Sequence, residues 1–391
     1  MDIKCNQQSP GNQSSAAPRD LVKSKKLDKI LIVQNKIPHY RKAFYNALAQ
    51  HYDVHVIHSG EASRAPGDLY RESVVRVRSV GPFRFQSNVL REVTGGEYLA
   101  TILMFDIRWC NSFLSLIRGT KSRVLLWGHR YSDSWLANKV RTGLMPYADG
   151  MIQYGGEGIA RMVVEGTDPA KIFVAQNTIE VLNHADGSSE RKSSFLFVGR
   201  AQKRKKVDQL LYAFAEVVNS LPSRVTIDIV GAGGENDRLA CLAKELGISD
   251  RVIFHGAITD ETQLKRLFHR SFAYVSPGPV GLGVLHSLAY GVPVVTGVLG
   301  KHGPEFEHLR EGSNAILFRS TAELSRILTD LSHSPRKASS LGKNAYEHYL
   351  REGLLAGMVE GFIQAIENRP QVQVNAKENA KQSQAKMSQA A

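Results

Sequence analysis

Apolar residues recur along this chain in two long series of the same kind. In the first, a solid run, Lys-Ile-Leu-Ile-Val at 29–33, is followed by a loop at 35–41. A helix is predicted over 41–51, with Phe44, Ala47 and Leu48 on one face, and a strand over 54–58. Solid apolar runs read as strands buried on both faces, and strand–helix–strand repeats make parallel sheets covered by helices. Further strands are predicted over 73–80, 106–109, 123–127, 148–154 and 171–175. Helices are predicted over 112–117 and 158–165, and a loop with exposed aromatic and arginine residues over 81–85.

Residues 183–192 are polar, contain Gly187 and Ser188, and lack periodicity, which marks a linker. The pattern then restarts. Strands over 194–199, 225–230, 252–255, 272–275 and 315–318 alternate with helices over 207–218, 236–246, 261–270, 321–331 and 337–349, and one more helix covers 352–368. The expected fold class is α/β, with two Rossmann-like, doubly wound parallel-sheet domains, 27–182 and 193–351, facing a cleft. Residues 1–26 and 369–391 are polar, low-complexity stretches expected to be a disordered arm and tail.

The stretch Ser276 to Thr296 carries the most local information. Pro277, Gly278, Pro279 and Gly281 form a loop, a helix is predicted over 280–290, and Gly291 is placed to end it in the left-handed conformation. Pro293 forbids continuation, and 292–296 is a short buried strand. A small-residue loop opening a helix suits a phosphate. Ligands of doubly wound sheets bind at the carboxyl ends of strands. The candidate ligand loops are therefore 35–41, 128–131, 200–206, 231–235 and 276–282.

Hydrophobic content of 42% is ordinary for a globular chain of 391 residues, whereas a formal charge of +13 favours anionic partners. Three widely spaced cysteines, Cys5, Cys110 and Cys241, argue against a disulfide framework or zinc site and fit a reducing compartment. The first 26 residues lack an apolar core segment, so a cytoplasmic protein without a secretory leader is expected. The most apolar window, 99–117, is interrupted by Asp106, Arg108 and Asn111, so any membrane contact is expected to be peripheral, on the inner face.

Five of the seven residues at 200–206, Arg-Ala-Gln-Lys-Arg-Lys-Lys, are basic and lie between a strand and a helix. Fixed cations there make a diphosphate site that needs no metal. A nucleic-acid role rests on charge alone, since no aromatic residues interleave. Gly231-Ala-Gly-Gly-Glu-Asn236 fails the dinucleotide spacing, and the chain has no P-loop and no Asp-x-Asp pair. No cofactor and no metal are expected.

The run Val198-Gly-Arg200, Lys205 and 207–214 resembles the phosphate-binding segment of retaining glycosyltransferase family 4. Similar likenesses run through 229–256, the donor-helix stretch 281–295, and, in the first half, 37–49, 127–129 and 168–177. The resemblance implies a GT-B fold, with a nucleotide diphosphate sugar in the second domain, the acceptor in the first, and the helix at 352–368 crossing back. It implies that Arg200 and Lys205 neutralise the leaving diphosphate. Gly199, Gly231, Gly281, Leu282, Gly283, His286 and Glu305 would line the donor site, with His129 near the donor sugar. Pro38, His39, Tyr40, Arg41 and Arg130 would lie on the acceptor side. The acceptor would be a lipid-linked molecule or a glycan, as in polysaccharide or glycolipid biosynthesis. One departure stands out: the family's two glutamates, eight positions apart, are replaced by Gly278 and His286. His286 could still bond a ribose hydroxyl, and Glu305 or Glu307 could approach the site instead. The alternative is a catalytically weak or inactive nucleotide-sugar-binding partner protein.

Overall fold

The computed structural model describes residues 27–182, 184 and 191–369. The arm at 1–26, nearly all of the tail at 369–391 and most of the linker at 183–192 lie outside them. The first domain contains β1 (Lys29–Val33), β2 (Asp53–His58), β3 (Arg71–Val74), β4 (Val77–Val80), β5 (Phe83–Gln86), β6 (Ala100–Met104), β7 (Arg123–Trp127), β8 (Gly150–Gln153) and β9 (Ile172–Val174). Its helices are α1 (Lys42–Leu48), α2 (Val89–Gly95), α3 (Cys110–Arg118), α4 (Trp135–Leu144) and α5 (Ile159–Val164). Seven strands form one parallel sheet in the order β3-β2-β1-β6-β7-β8-β9. Its central strands are mostly apolar because helices cover both faces.

The second domain contains β10 (Ser194–Val198), β11 (Thr226–Val230), β12 (Val252–Gly256), β13 (Ser271–Ser276), β14 (Val294–Gly297) and β15 (Ala315–Phe318). These pair in parallel in the order β12-β11-β10-β13-β14-β15. The connecting helices are α6 (Val207–Val217), α7 (Asn236–Glu245), α8 (Glu261–His269), α9 (Gly283–Ala289), α10 (Thr321–His333) and α11 (Pro335–His348). In both sheets the strand order reverses beside the first strand, between β1 and β6 and between β10 and β13. Loops leaving the carboxyl ends of those neighbours part there and open a crevice.

After α11 the chain makes one wide π turn, Tyr349–Gly353, and α12 (Leu355–Ile366) crosses back onto the first domain. Phe362 packs 4.6 Å from Phe44 and 4.9 Å from Trp127, ring centre to ring centre. At Gly361 a Cβ would come within 2.4 Å of the Val174 carbonyl, so only glycine permits this approach.

Three local expectations change. The strand expected over 73–80 is two strands: β3 joins the sheet, and β4 turns away to pair antiparallel with β5, forming a hairpin where a loop was expected. The strand expected over 106–109 is a turn instead. Asp106 accepts hydrogen bonds there from the Arg108 backbone and guanidinium, and the sheet strand is β6, just before it. The predicted helix over 280–290 starts only at Gly283. Helices α2 and α4 are not among the predicted elements; on α4 the exposed face carries Trp135, Leu136 and Val140, which blurs the helical period.

Candidate functional site

The second domain's crevice is built by close backbone approach. A Cβ on Gly231 would lie 1.9 Å from the Gly199 carbonyl oxygen, so only glycine permits the loops after β10 and β11 to meet at this point. The basic loop 200–206 then folds onto the loop after β13. The Gly278 N–H donates to the Lys205 carbonyl at 2.9 Å. A Cβ at 278 would lie 2.2 Å from the Arg204 carbonyl oxygen, so this position has no room for any side chain. Lys206 holds a positive φ of 51°, uncommon for a non-glycine residue, and turns the basic loop into α6.

Lys205 is thereby buried, 8% exposed, with its ammonium donating to the Pro279 carbonyl. It lies 3.7 Å from where a Cβ on Gly281 would be. Burial pulls its pKa down to about 8, assisted by Arg204 and Arg200 and opposed by Glu305. Arg200 is exposed at the loop's start. These contacts bring the loops that carry Gly199, Arg200, Lys205, Gly231 and Gly281 together at one crevice, and Leu282 packs beside them on the core. Gly283 belongs to the helix behind it, against the Tyr274 hydroxyl.

The first domain's crevice is a cavity of about 410 Å³ at the β1/β6 reversal. Pro38, Tyr40, Arg41 and His129 line it, together with Asp106 and Tyr154. His129 stands with its ring 5.0 Å from that of Tyr154, and burial lowers its pKa. Two residues expected on the acceptor side lie outside the lining of this cavity. His39 is exposed beside Tyr40 and is not part of the cavity lining. Arg130 is 1% exposed and turned into the domain, donating to the Asn138 carbonyl and Thr142, with its guanidinium over the Tyr131 ring. Its Nη1 and Nη2 groups are thus engaged away from the cavity, while its buried Nε has no hydrogen-bond partner among the described residues.

A buried polar chain joins the two crevices. Arg41 lies over the rings of Tyr40 and Trp127, each 5.3 Å from its guanidinium carbon, and donates to Asn177 Oδ1 at 2.7 Å. Asn177 in turn donates to Glu305 Oε1 at 2.6 Å. Glu305 is 4% exposed. Burial raises its pKa, while Asn177, Lys205 and Arg41 pull the other way. Two cations, one from each domain, therefore share one buried carboxylate. Glu307 does not join them. It clamps the domains elsewhere, accepting from the Gly156 and Glu157 amides at 2.8 and 2.7 Å.

His286 departs from its expected ribose-facing role. Its Nε2 pairs with Glu261 Oε1 at 3.1 Å, and Tyr290 donates to the other oxygen of Glu261 at 2.5 Å. Against the upward push of burial, these two bonds hold the Glu261 carboxyl below the usual range. Asn177 and Glu261 were missed as site residues. Asn177 lies inside a motif that carried the resemblance, but its neighbours there say nothing of a partner 128 positions away.

Two Rossmann-like domains closing on a cationic crevice are the GT-B architecture, and solved structures similar to this one share it. Among them are Anabaena HepE in complex with UDP (TM-score 0.68, 18% identity, covering 87% of this chain and 100% of that one) and a Rickettsia africae glycosyltransferase (TM-score 0.69, 12% identity, covering 88% and 98%). Residues 179–348 match the family model for glycosyl transferases group 1. Curated relatives include an uncharacterised glycosyltransferase of Methanocaldococcus jannaschii, 24% identical over 54% of this chain and 55% of its own length. A D-inositol 3-phosphate glycosyltransferase of Acidothermus cellulolyticus is 31% identical over 52% and 46% respectively. The chain spans about half the length of the curated relatives it matches.

Proposed function

We propose that this chain is a retaining, metal-independent glycosyltransferase, moving a sugar from a nucleotide diphosphate to an acceptor hydroxyl in polysaccharide or glycolipid biosynthesis. The observation that carries the reading is Lys205, buried against the Pro279 carbonyl beside Gly281, with Arg200 at the open end of the same loop. As a glycosidic bond to diphosphate breaks, negative charge grows on the leaving group. Preorganised cations stabilise that charge without solvent reorganisation, and this supports a metal-free reaction. Solved structures of similar fold hold UDP and UDP-glucose, which makes uridine the first base to test.

His129 and Arg41 act on the acceptor side in this reading. The lowered pKa of His129 keeps its ring neutral near pH 7, so it can accept as well as donate a hydrogen bond to a sugar or acceptor hydroxyl. The acceptor is lipid-linked or a glycan, met at the cytoplasmic face of the membrane.

The test is a binding and hydrolysis screen across uridine, guanosine and adenosine diphosphate sugars, read by released nucleotide. Turnover of one donor is expected, and failure to bind any donor overturns the reading. A second reading, a nucleotide-sugar-binding protein without turnover, draws on Gly278, where packing leaves no room for a carboxylate. Tight donor binding without release, in the presence of a broad acceptor extract, would select it.

A further inference from the structure

The exposed apolar side chains of this protein are unevenly distributed. In the second domain they are few and scattered, such as Tyr212, Ile253 and Leu299. The first domain concentrates them on the β4–β5 hairpin and the outer sides of α3, α4 and α5. There Phe83 is 46% exposed, Ile117 65%, Trp135 73%, Leu136 57% and Val140 41%.

These elements share one layer. The inner residues Leu116 of α3, Leu144 of α4 and Met162 of α5 belong to the same core cluster, packed against Leu103, Leu126 and Met151 of the sheet. Their outer sides therefore face the same way. The hairpin is locked to α3 because Asn111 accepts from the Gln86 N–H at 2.6 Å and donates to the Gln86 carbonyl at 3.0 Å. On α4, Ala137, Arg141 and Leu144 are buried, while Trp135, Leu136, Lys139 and Val140 fall within an arc of about 140° on the opposite side. A helix that faces only water carries polar residues on that arc.

The charge on this layer is positive. Arg76, Arg78, Arg91, Arg118 and Lys139 are exposed, and none makes an ion pair among the described residues. Three acidic groups nearby are already engaged, Asp133 with Lys301, Glu165 with Arg161, and Glu92 with the Tyr98 hydroxyl, whereas Glu97 and Glu157 are exposed without an ion pair among the described residues. Exposed aromatic and aliphatic tips set among unpaired cations complement a surface with an anionic headgroup layer above an apolar interior. The layer also borders the acceptor-side cavity. Arg84 N–H donates to the Arg108 carbonyl at 2.7 Å, and the Gln86 side chain donates to the Gln34 carbonyl at 2.9 Å. Gln34, Asp106 and Arg141 all line the cavity.

We propose that the β4–β5 hairpin and the outer face of α3–α5 dock on an anionic lipid bilayer, so that the acceptor reaches the cavity from the membrane surface. The second clause rests on the acceptor-side reading above, and the docking itself does not. Among the described residues no helix is long and apolar enough to cross a membrane, so the contact is peripheral. An acceptor anchored in that surface would present its hydroxyl-bearing headgroup at the cavity mouth.

The test uses the full chain with vesicles of phosphatidylcholine alone or mixed with phosphatidylglycerol, read by co-sedimentation and tryptophan emission. The expected result is binding to the mixed vesicles only, weakened by salt, with a blue shift in emission. Of three tryptophans, Trp109 and Trp127 are buried, so the shift reports Trp135. The double variant Trp135→Ser, Leu136→Asp and the variant Phe83→Asp should each lose about tenfold or more in vesicle affinity. Arg78→Glu with Arg118→Glu should abolish the preference for phosphatidylglycerol. UDP binding, titrated on the same variants, should stay at the parent value, which certifies folding and keeps the donor site a separate question. Absence of binding to mixed vesicles overturns the proposal, as does equal binding by parent and variants. So does a defined dimer that Trp135→Ser dissolves, which would assign this face to a second copy of the chain.

Discussion

Lys205 and the Arg41–Asn177–Glu305 chain are where single side chains decide behaviour. In the unfolded chain Lys205 keeps its proton to about 10.5, but in the fold only to about 8. Between those values the unfolded state binds more protons, so the stability contribution of Lys205 rises with pH. Diphosphate binding needs the ammonium and runs the other way. UDP affinity should fall above pH 8, by up to about tenfold per unit, and Lys205→Arg should flatten that profile in calorimetric titrations. Lys205→Ala and Arg200→Ala should each weaken UDP about 10- to 100-fold while barely changing uridine binding. Equal losses for both ligands would remove the phosphate role. Asn177→Ala strands a buried guanidinium and a buried carboxylate, and should cost about 1–3 kcal/mol in denaturant unfolding. Adding Glu305→Gln to it should recover part of that loss, since the neutral amide has a smaller desolvation cost.

At the scale of elements, the turn Pro304–His308 and the end of α11 are coupled by buried histidines. His308 Nδ1 and His348 Nε2 lie 3.2 Å apart, directly after the turn's Glu305 and Glu307 and directly before the π turn. Burial, with His348 and Arg310 adding to it, lowers His308 from 6.5 to about 4. In that window the unfolded chain binds more protons than the folded one, so stability falls as pH drops from 6.5 towards 4. The loss should reach roughly 3 kcal/mol at most, and His308→Asn should flatten thermal melting temperatures measured across that range. The loop 277–282 makes a sharper demand. Gly278→Ala puts a methyl group into the Arg204 carbonyl, so the basic loop must lift, and UDP affinity should fall although no ligand-facing group has changed.

Across the whole molecule, α12 is a strap from the second domain that completes the core of the first. Phe362 is fully buried between Phe44 and Trp127. Phe362→Ala should cost about 3–5 kcal/mol, measured by denaturant unfolding, and the loss should fall on the first domain's transition although residue 362 follows the second domain in sequence. The Glu307 clamp, the Asn177–Glu305 bond and the Thr178 hydroxyl bonded to the Gly353 carbonyl all cross between the two halves. Their sequence separations run from 128 to 175 residues.

The two-domain α/β order, nearly all the sheet strands and the basic loop at the crevice were legible in the chain because they rest on local period and on turn residues. Lys-Ile-Leu-Ile-Val, Gly291 and Pro293 carry their meaning within a few positions, and the φ of +63° at Gly291 matches its reading. Tertiary structure decided the rest, because each remaining feature depends on contacts between distant segments. The break between β3 and β4 follows from where a hairpin can pair, and Arg130 reads as a loop cation until its acceptors on α4 are in place. His286 has no visible partner in sequence until α8 brings Glu261 to it, and only domain packing puts Glu305, rather than Glu307, between Arg41 and Lys205. A buried charge acts according to which opposite charge and which desolvating wall stand beside it, and only the folded chain supplies both.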